Sequence, residues 1–186
     1  MRHERSILTA AVCFRTRPST DIPFRLVSGS AISLKSLMHL HLRVGETSSG
    51  KPAFEPVHVV RLVGNRYRVE FTPGLAYGIA AGDEIEVGDD GHYSVLARGG
   101  NVAVRVLWTT SVLDARELTE AVEQLTGRLD GRVDKGLAYT LPVEIGFNAI
   151  EKVFGGFVAD HPDCVWEYGN VYAEDGSAIG WWESKA

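Results

Sequence analysis

The chain has 186 residues, of which 45% are hydrophobic and 23% are charged, and its mean hydropathy is −0.03. This composition is typical of a soluble globular protein and excludes collagen-like, coiled-coil and fully disordered chains. No apolar run approaches the ~20 residues that a membrane-spanning helix needs. The length allows one large domain or two small ones.

Charge is distributed unevenly along the chain. The net charge is −5, but residues 1–37 hold six cations and two anions, so that residues 38–186 hold 13 cations and 22 anions, a net charge of −9. Binding to a nucleic acid normally needs a basic face, so this acidic body predicts no nucleic-acid partner. A basic protein is the partner that such a body would attract.

Two cysteines, Cys13 and Cys164, lie far apart in the chain. They form no CxxC motif, which argues against a disulfide scaffold and a thiolate zinc site and favours the reducing cytoplasm. Cys164 lies close to His161, but no third orienting group accompanies them, so the cysteine is interpreted as structural. No phosphate-binding, dinucleotide-binding or hydrolase motif is present, and we predict no catalytic residue, no metal and no cofactor.

Residues 1–37 differ from the rest of the chain, because they show no helical or strand periodicity. We predict either a disordered basic extension or upstream sequence that precedes the true translation start. Met38 is the only methionine after Met1, and the alternating stretch 39–44 that follows it is typical of a first strand. N-terminal sequencing of natively expressed protein would separate the two alternatives.

Residues 38–100 predict a small β-rich subdomain. Five short strands alternate in hydrophobicity and are separated by glycine and aspartate turns, of which Asp89-Asp90-Gly91 is the clearest hairpin signal. Their expected ranges are 39–44, 57–62, 66–71, the last part of 81–87, and 93–97. This pattern indicates a small, strongly bent antiparallel sheet or a partial barrel.

Residues 101–173 predict a second subdomain with the order strand, helix, two strands, helix, strand. A capping-box-like Asp114-x-x-Glu117 begins the first helix, and the second is expected to run from about Ile145 to Pro162. The strands are expected at 101–108, 132–134, 137–143 and 165–168. This βαββαβ order is that of ferredoxin-like domains, so the predicted fold class is α+β. Residues 174–186 form a tail that is either an interaction element or a flap packed back on the domain.

Four segments carry a resemblance to a known family: Gly64-Asn-Arg-Tyr-Arg-Val69, Leu75-Ala-Tyr-Gly-Ile-Ala-Ala-Gly-Asp-Glu-Ile85, Val104-Arg-Val106 and Val165-Trp-Glu-Tyr168. Through them the chain resembles, over roughly residues 39–172, a bacterial family known as domain of unknown function 4265. The resemblance implies a shared architecture and a bacterial intracellular setting. It implies no catalytic residue, because the family has no established activity.

Two functions from different classes follow. The first is a non-catalytic, immunity- or antitoxin-like module that binds a basic protein such as a nuclease toxin. Its predicted interaction residues are Trp166, Tyr168, Trp181, Trp182, Asp83, Glu84 and Glu86. The second is a small-molecule sensor or biosynthetic accessory enzyme that uses a cleft between the two subdomains. The residues predicted to line that cleft are Tyr77, Arg105, Trp108 and His161. The acidic body and the lack of catalytic motifs favour the first.

Overall fold

A computed structural model describes residues 36–109, 114–133, 135–173 and 175–183. Within these ranges the chain is a mixed α+β protein with two antiparallel sheets, of five and four strands, and two α-helices. The predicted N-terminal extension falls mainly on residues 1–35, which lie outside the described residues. The first strand begins at Leu37, directly before Met38.

The first sheet is an antiparallel meander in which every strand pairs with the next one along the chain. Its strands are β1 (Leu37–Glu46), β2 (Pro52–Arg61), β3 (Arg66–Val69), β4 (Glu84–Val87) and β5 (Tyr93–Ala97). β2 starts five residues earlier than predicted. The prediction began too late because Pro52 and Pro56 interrupt the strand-like alternation of the sequence. β3 pairs only with Val59–Arg61 of β2. The first half of β2 therefore has a free edge. Proline, which has no N–H group to donate, is tolerated at such an edge.

The first sheet curls so that its last hairpin returns to its first strand. The Arg43 N–H donates a hydrogen bond of 2.9 Å to the Gly91 carbonyl, in the turn between β4 and β5. Gly91 has φ +80°, and a Cβ there would lie 2.8 Å from Phe54 Cε1, so only glycine permits this approach. The predicted alternation of β4 is confirmed, with Ile85 and Val87 buried inside the curl.

The second sheet has the strand order β7-β8-β6-β9, with all neighbours antiparallel. Its elements are β6 (Asn101–Trp108), α1 (Arg116–Gln124), β7 (Arg128–Val133), β8 (Gly136–Pro142), α2 (Phe147–Asp160) and β9 (Cys164–Tyr168). Both helices pack on one face, over a core that includes Val104, Tyr139 and Phe154. No helix among the described residues has the length and apolarity of a membrane span.

The start of α1 differs from the prediction. The N-cap is Ala115, and no side chain caps the helix. The predicted capping box at Asp114 is therefore wrong: the Asp114 carboxylate accepts hydrogen bonds from the backbone N–H of Arg116 at 3.2 Å and from its guanidinium. Two residues beyond the N-cap, Glu117 lies in the first turn, where a carboxylate favours the positive end of the helix dipole.

Two further boundaries in the second sheet were misjudged. β7 starts at Arg128 rather than Arg132, because Thr126 (φ 59°) and Gly127 turn the chain directly after α1. α2 starts at Phe147, since Gly146 (φ 83°) separates it from a 3₁₀ turn at Val143–Ile145. Gly155 and Gly156 lie inside α2 without ending it.

The described part of the tail, residues 175–183, packs back on the second sheet. The Ile179 N–H donates to the Val171 carbonyl at 2.9 Å, and Trp181 Nε1–H donates to the Asn170 carbonyl at 2.8 Å. Trp182 contacts Phe147 edge-on, with ring centroids 5.0 Å apart. Of the two predicted roles for the tail, these contacts support the packed-back flap.

Candidate functional site

The loop between β3 and β4 lies against the face of the second sheet that the helices leave uncovered. This segment, residues 70–83, is called the junction loop below. β6 alternates, so Val102, Val104 and Val106 pack under the helices while Arg105 projects from the opposite face. There the Arg105 Nε–H donates to the Pro73 carbonyl at 3.2 Å, and the Gly78 N–H donates to the Gly169 carbonyl at 2.7 Å.

Glu55 shapes the junction loop from the side of the first sheet. Its buried carboxylate accepts hydrogen bonds from three successive backbone N–H groups, those of Gly74 at 2.7 Å, Leu75 at 3.0 Å and Ala76 at 2.7 Å. Three such donors compensate the charge for its loss of water. The sequence interpretation missed Glu55, although a charged residue at the same inward parity as Val57 and Val59 was a usable signal.

Arg105 is 1% exposed and is enclosed by the junction loop and β9. Besides Pro73, its guanidinium donates to the Ala76 carbonyl and lies 3.5 Å from Glu167 Oε1. Its Cζ lies 4.3 Å from the centre of the Tyr77 ring, a cation–π contact. Tyr77 in turn donates its hydroxyl to Glu167. Two predicted cleft residues, Tyr77 and Arg105, thus meet, and Glu167 joins them.

The phenol of Tyr77 stays protonated at neutral pH. Partial burial, and next the hydrogen bond to Glu167, raise the pKa of Tyr77 to about 12. A tyrosine with a raised pKa is a hydrogen-bond donor and a poor nucleophile. Tyr77 is still 52% exposed, so the Glu167 and Arg105 contacts fix its position while part of the side chain remains open to solvent.

The other two predicted cleft residues lie elsewhere. Trp108 is buried in the core under the helices, on the opposite face of β6 from Arg105. His161 follows α2, where its ring stacks on Phe157 at 4.2 Å and its Nδ1 lies 2.8 Å from the Phe157 carbonyl. The prediction that all four residues line one cleft between the sheets is therefore wrong, because strand alternation puts Trp108 on the other side of the sheet.

Asp83 lies inside the protein, at the end of the junction loop. It is 0% exposed and accepts hydrogen bonds from the backbone of Gly99 at 2.7 Å and Ala80 at 3.1 Å, and from the Arg98 guanidinium at 3.0 Å. Burial raises the pKa of Asp83, and these donors oppose the rise. The expectation that Asp83 lies on an interaction surface is wrong, since its carboxylate is fully used internally.

Glu84 and Glu86 project from the outer side of the first sheet, half-buried. Across β3 and β4 they stand opposite Arg68 and Arg66, and Glu86 lies 3.9 Å from the Arg66 guanidinium. This arrangement agrees with a solvated strand face. A role of these two carboxylates in binding stays a prediction.

The four predicted aromatic anchors lie in one chain of ring contacts rather than on an open surface. Tyr168 is buried; its ring centroid lies 5.0 Å from that of Trp166 and 5.6 Å from that of Phe147. Trp181 and Trp182 are half-buried and continue the chain through Phe147. The expected exposure is wrong for Tyr168 and too high for the three tryptophans, because they complete the second core.

Histidines and the described cysteine form no evident reactive centre. His39 and His58 face each other across β1 and β2 with ring centroids 4.1 Å apart. Burial, then repulsion from His39, lowers the pKa of His58. Burial raises the pKa of the Cys164 thiol, which disfavours the thiolate. Among the described residues no group of three or more His, Cys, Asp or Glu side chains could hold a metal ion.

Exposed apolar side chains continue from Tyr77 across the uncovered face of the second sheet. Leu107 of β6 pairs with Val165 of β9, and Gly136 of β8 pairs with both Leu107 and Val133 of β7. Val165 is 61% exposed, and Leu107 and Val133 are exposed as well. Tyr77, Leu107, Val133 and Val165 together are called the open face below.

Residues 55–161 of this chain match a protein family described as domain of unknown function 4265. The chain belongs to this family. The match confirms the resemblance seen in the sequence, although it is narrower than residues 39–172. Three of the four segments that carried the resemblance supply the contacts around Tyr77: they hold Tyr77 itself, Arg105 and Glu167.

Two other comparisons place this member of the domain of unknown function 4265 family. A comparison with curated proteins gave no match. A crystal structure of a hypothetical protein from Neisseria gonorrhoeae is similar, with a TM-score of 0.54 and 13% sequence identity, over 74% of this chain and 96% of that chain. At this identity the likeness concerns the fold alone.

Proposed function

We propose that this protein is a non-catalytic interaction module that binds a basic protein partner through the open face. The observation that carries the proposal is a group of exposed apolar side chains on one face: Leu107 pairs with Val165, and Tyr77 lies over the next pair on the same face, Arg105 and Glu167. Contiguous apolar surface of this kind is characteristic of interfaces, whereas single exposed apolar residues are ordinary.

Tyr77 is suited to be the anchor of this interface. Its hydroxyl is bound by Glu167 and its ring covers the Arg105 guanidinium, so that little side-chain freedom remains to be lost on binding. Tyrosine is also among the residues most enriched at the energetic centres of interfaces. Leu107 and Val165 then supply the apolar area beside it.

The charge of the chain selects a basic partner. Residues 38–186 carry a net charge of −9. Glu117, Glu120 and Glu123 of α1 are exposed, and no salt bridge to them is found within the described part of the chain. They lie on the other side of the second sheet from the open face, so they add to the long-range field of the protein and not to the contact surface. Unpaired charge of one sign speeds association with a partner of the opposite sign. An immunity- or antitoxin-like role toward a basic toxin in the bacterial cytoplasm belongs to the same proposal.

The proposal extends to the organisation of the chain. We infer that residues 38–100 and 101–173 are two subdomains and that the second is ferredoxin-like. In its support, α1 connects β6 to β7, α2 connects β8 to β9, and the strand order is β7-β8-β6-β9. This is the connectivity of a split βαβ unit.

Site-specific photo-crosslinking in the native bacterium tests the docking surface. A photoreactive amino acid is introduced at Val165 and, as a matched control, at Leu96, which is exposed on β5 of the first sheet. We expect a covalent adduct with a basic protein at Val165 and none at Leu96. The captured protein is then purified, and its affinity is measured for the wild type, Leu107→Lys and Leu96→Lys.

The expected result is a loss of affinity of tenfold or more for Leu107→Lys and none for Leu96→Lys. A triple change of Glu117, Glu120 and Glu123 to Lys is expected to slow association and to reduce its salt dependence, with little change in dissociation rate. Adducts that are equal at both positions, an acidic captured protein, or unchanged affinity of Leu107→Lys would overturn the proposal.

A further inference from the structure

A cleft of about 510 Å³ opens at the mouth of the curled first sheet, away from the open face. It lies between β1 and the two turns that join β2 to β3 and β4 to β5. Residues that line it include Leu40, Phe54, Arg61, Asn65, Tyr67 and Asp89. The mouths of curled sheets and barrels are frequent ligand sites, because both polar and apolar side chains lie at the strand ends there.

The walls of this cleft are held by the backbone. The Val87 N–H donates to the Asn65 carbonyl at 3.0 Å, which ties the two turns together, and the Arg43 N–H donates to Gly91, which ties the second turn to β1. The Asn65 side chain adds a bond of 3.3 Å to the Val87 carbonyl. A cleft built in this way exists before a ligand arrives, so binding requires little rearrangement.

The floor is apolar. Leu40 and Tyr67 are half-buried and pack against the first core, and Val87 belongs to that core. Phe54 is exposed at the side of the cleft, next to Gly91. These side chains would contact an aliphatic or aromatic body and would leave its polar end at the rim.

Arg61 provides the cation at the rim. It stands opposite Tyr67 in the pairing of β2 with β3, and its Nε–H donates to the Gly64 carbonyl at 2.9 Å. This bond orients the guanidinium, and its two terminal amino groups have no partner in the described part of the chain. A planar pair of N–H donors is the group that binds a carboxylate in two-point fashion. His39 and His41 also line the cleft, on either side of Leu40 in β1.

We propose that this cleft binds a small monocarboxylate with an apolar body, the carboxylate on Arg61 and the body on Leu40 and Tyr67. Asp89, also at the rim, limits the ligand to a single negative charge, because a second anionic group would meet its carboxylate. Nucleoside phosphates are therefore disfavoured. The site lies on a different sheet from the open face and does not depend on the interaction proposal.

The test uses the full chain labelled with ¹⁵N and three probes of nearly equal size: phenylacetate, phenylacetamide and phenyl phosphate. Amide shifts show where each probe binds, and titration gives its dissociation constant. Arg61→Gln removes the cation, while Arg66→Gln, an exposed arginine on β3 that does not line the cleft, is the matched control. Retained dispersion of the amide spectrum shows that each variant is folded.

We expect phenylacetate to shift amides of residues 39–41, 61–67 and 87–91, and to bind about tenfold more weakly to Arg61→Gln, as the loss of a charge-assisted hydrogen bond requires. Arg66→Gln should bind as the wild type, and phenylacetamide should bind about as weakly to the wild type as phenylacetate does to Arg61→Gln. Shifts elsewhere, equal affinity for the amide, tighter binding of phenyl phosphate, or no binding of any probe at millimolar concentration would overturn the proposal.

Discussion

The two sheets bury different kinds of side chain. The first core is entirely aliphatic, and two of its members, Ala76 and Ile79, come from the junction loop rather than from a strand. The second core contains Trp108, Tyr139 and Phe154 and is closed by two helices. The first sheet therefore relies on a loop where the second relies on helices, and that loop is held by Arg105, a residue of the second sheet.

The first sheet and the helical layer over the second sheet use charge differently. In the first, carboxylates are bonded nearby, as Glu55 is to three amides and Glu70 is to Arg68 at 3.0 Å. On α1, by contrast, exposed glutamates stand without an ion pair in the described residues. Charged side chains thus stabilise the first sheet and its junction. On the helical layer the glutamates remain available to attract a charged partner.

The dependence of the first sheet on Arg105 is the largest effect we expect. Arg105→Met leaves the carbonyls of Pro73 and Ala76 without their donor, and loss of one partner from a buried charged network costs about 3–5 kcal/mol of unfolding free energy. Urea denaturation measures this loss, and hydrogen exchange locates it. We expect the amides of β3 and β4 to lose more protection than those of β8.

Arg116→Met is the control, because Arg116 is exposed at the start of α1 and pairs only across the surface. Its effect should be too small to separate from the wild type in the same denaturation experiment, because an exposed ion pair is screened by solvent. If Arg105→Met cost no more than this control, or destabilised both sheets equally, the junction would not be what holds the first sheet.

Glycine positions sharpen the comparison, because replacing glycine by alanine should change the free energy of unfolding in opposite directions in the two regions. Gly91→Ala should cost about 1–3 kcal/mol, since its φ of +80° is strained for alanine and the new Cβ meets Phe54 and the backbone of β1. Gly155→Ala should stabilise by about 0.5–1 kcal/mol, because it lies inside α2 with nothing within 4 Å of the new Cβ. Thermal and urea unfolding measure the stability of both variants. If Gly91→Ala were as stable as the wild type, the hairpin of β4 and β5 would not pack closely on β1.

An effect confined to alkaline pH concerns Tyr77, at the junction of the two regions. Because its pKa is raised from 10.0 to about 12, the folded protein keeps this proton when the unfolded chain releases it. The contribution to stability is therefore complete below pH 10 and is lost as the pH rises toward 12. In Tyr77→Phe this part of the decline should be absent, and so should the corresponding step in a titration of phenolate absorbance. Tyr67→Phe, a tyrosine outside the junction, serves as the control.

Local patterns predicted what depends on local geometry. The strands Tyr93–Ala97 and Asn101–Trp108 have their predicted bounds, since alternation in hydrophobicity follows from the two-residue period of a strand. Boundaries failed where backbone conformation outweighed residue type, as at Gly146 and at Ala115, which begins α1 without a capping side chain.

Candidate sites were harder to predict than strands. Tyr77 and Arg105 were chosen by chemistry and do meet, but Trp108 shares a strand with Arg105 and faces the other way. Glu55 and Glu167, which complete the junction, were not chosen for it. Each lies far in sequence from its partners, so no local pattern could pair them.

The sequence by itself determined the α+β class, the order of strands and helices and the family, because these depend on periodicity and on short segments that can be read without their neighbours. Only the tertiary structure decided which acidic and aromatic residues face solvent. Asp83 and Tyr168 are buried, and Leu107 and Val165 are exposed, against their usual preferences. The reason is physical: burial is set by what packs across a sheet face, and the junction loop covers one end of that face and leaves the other end open.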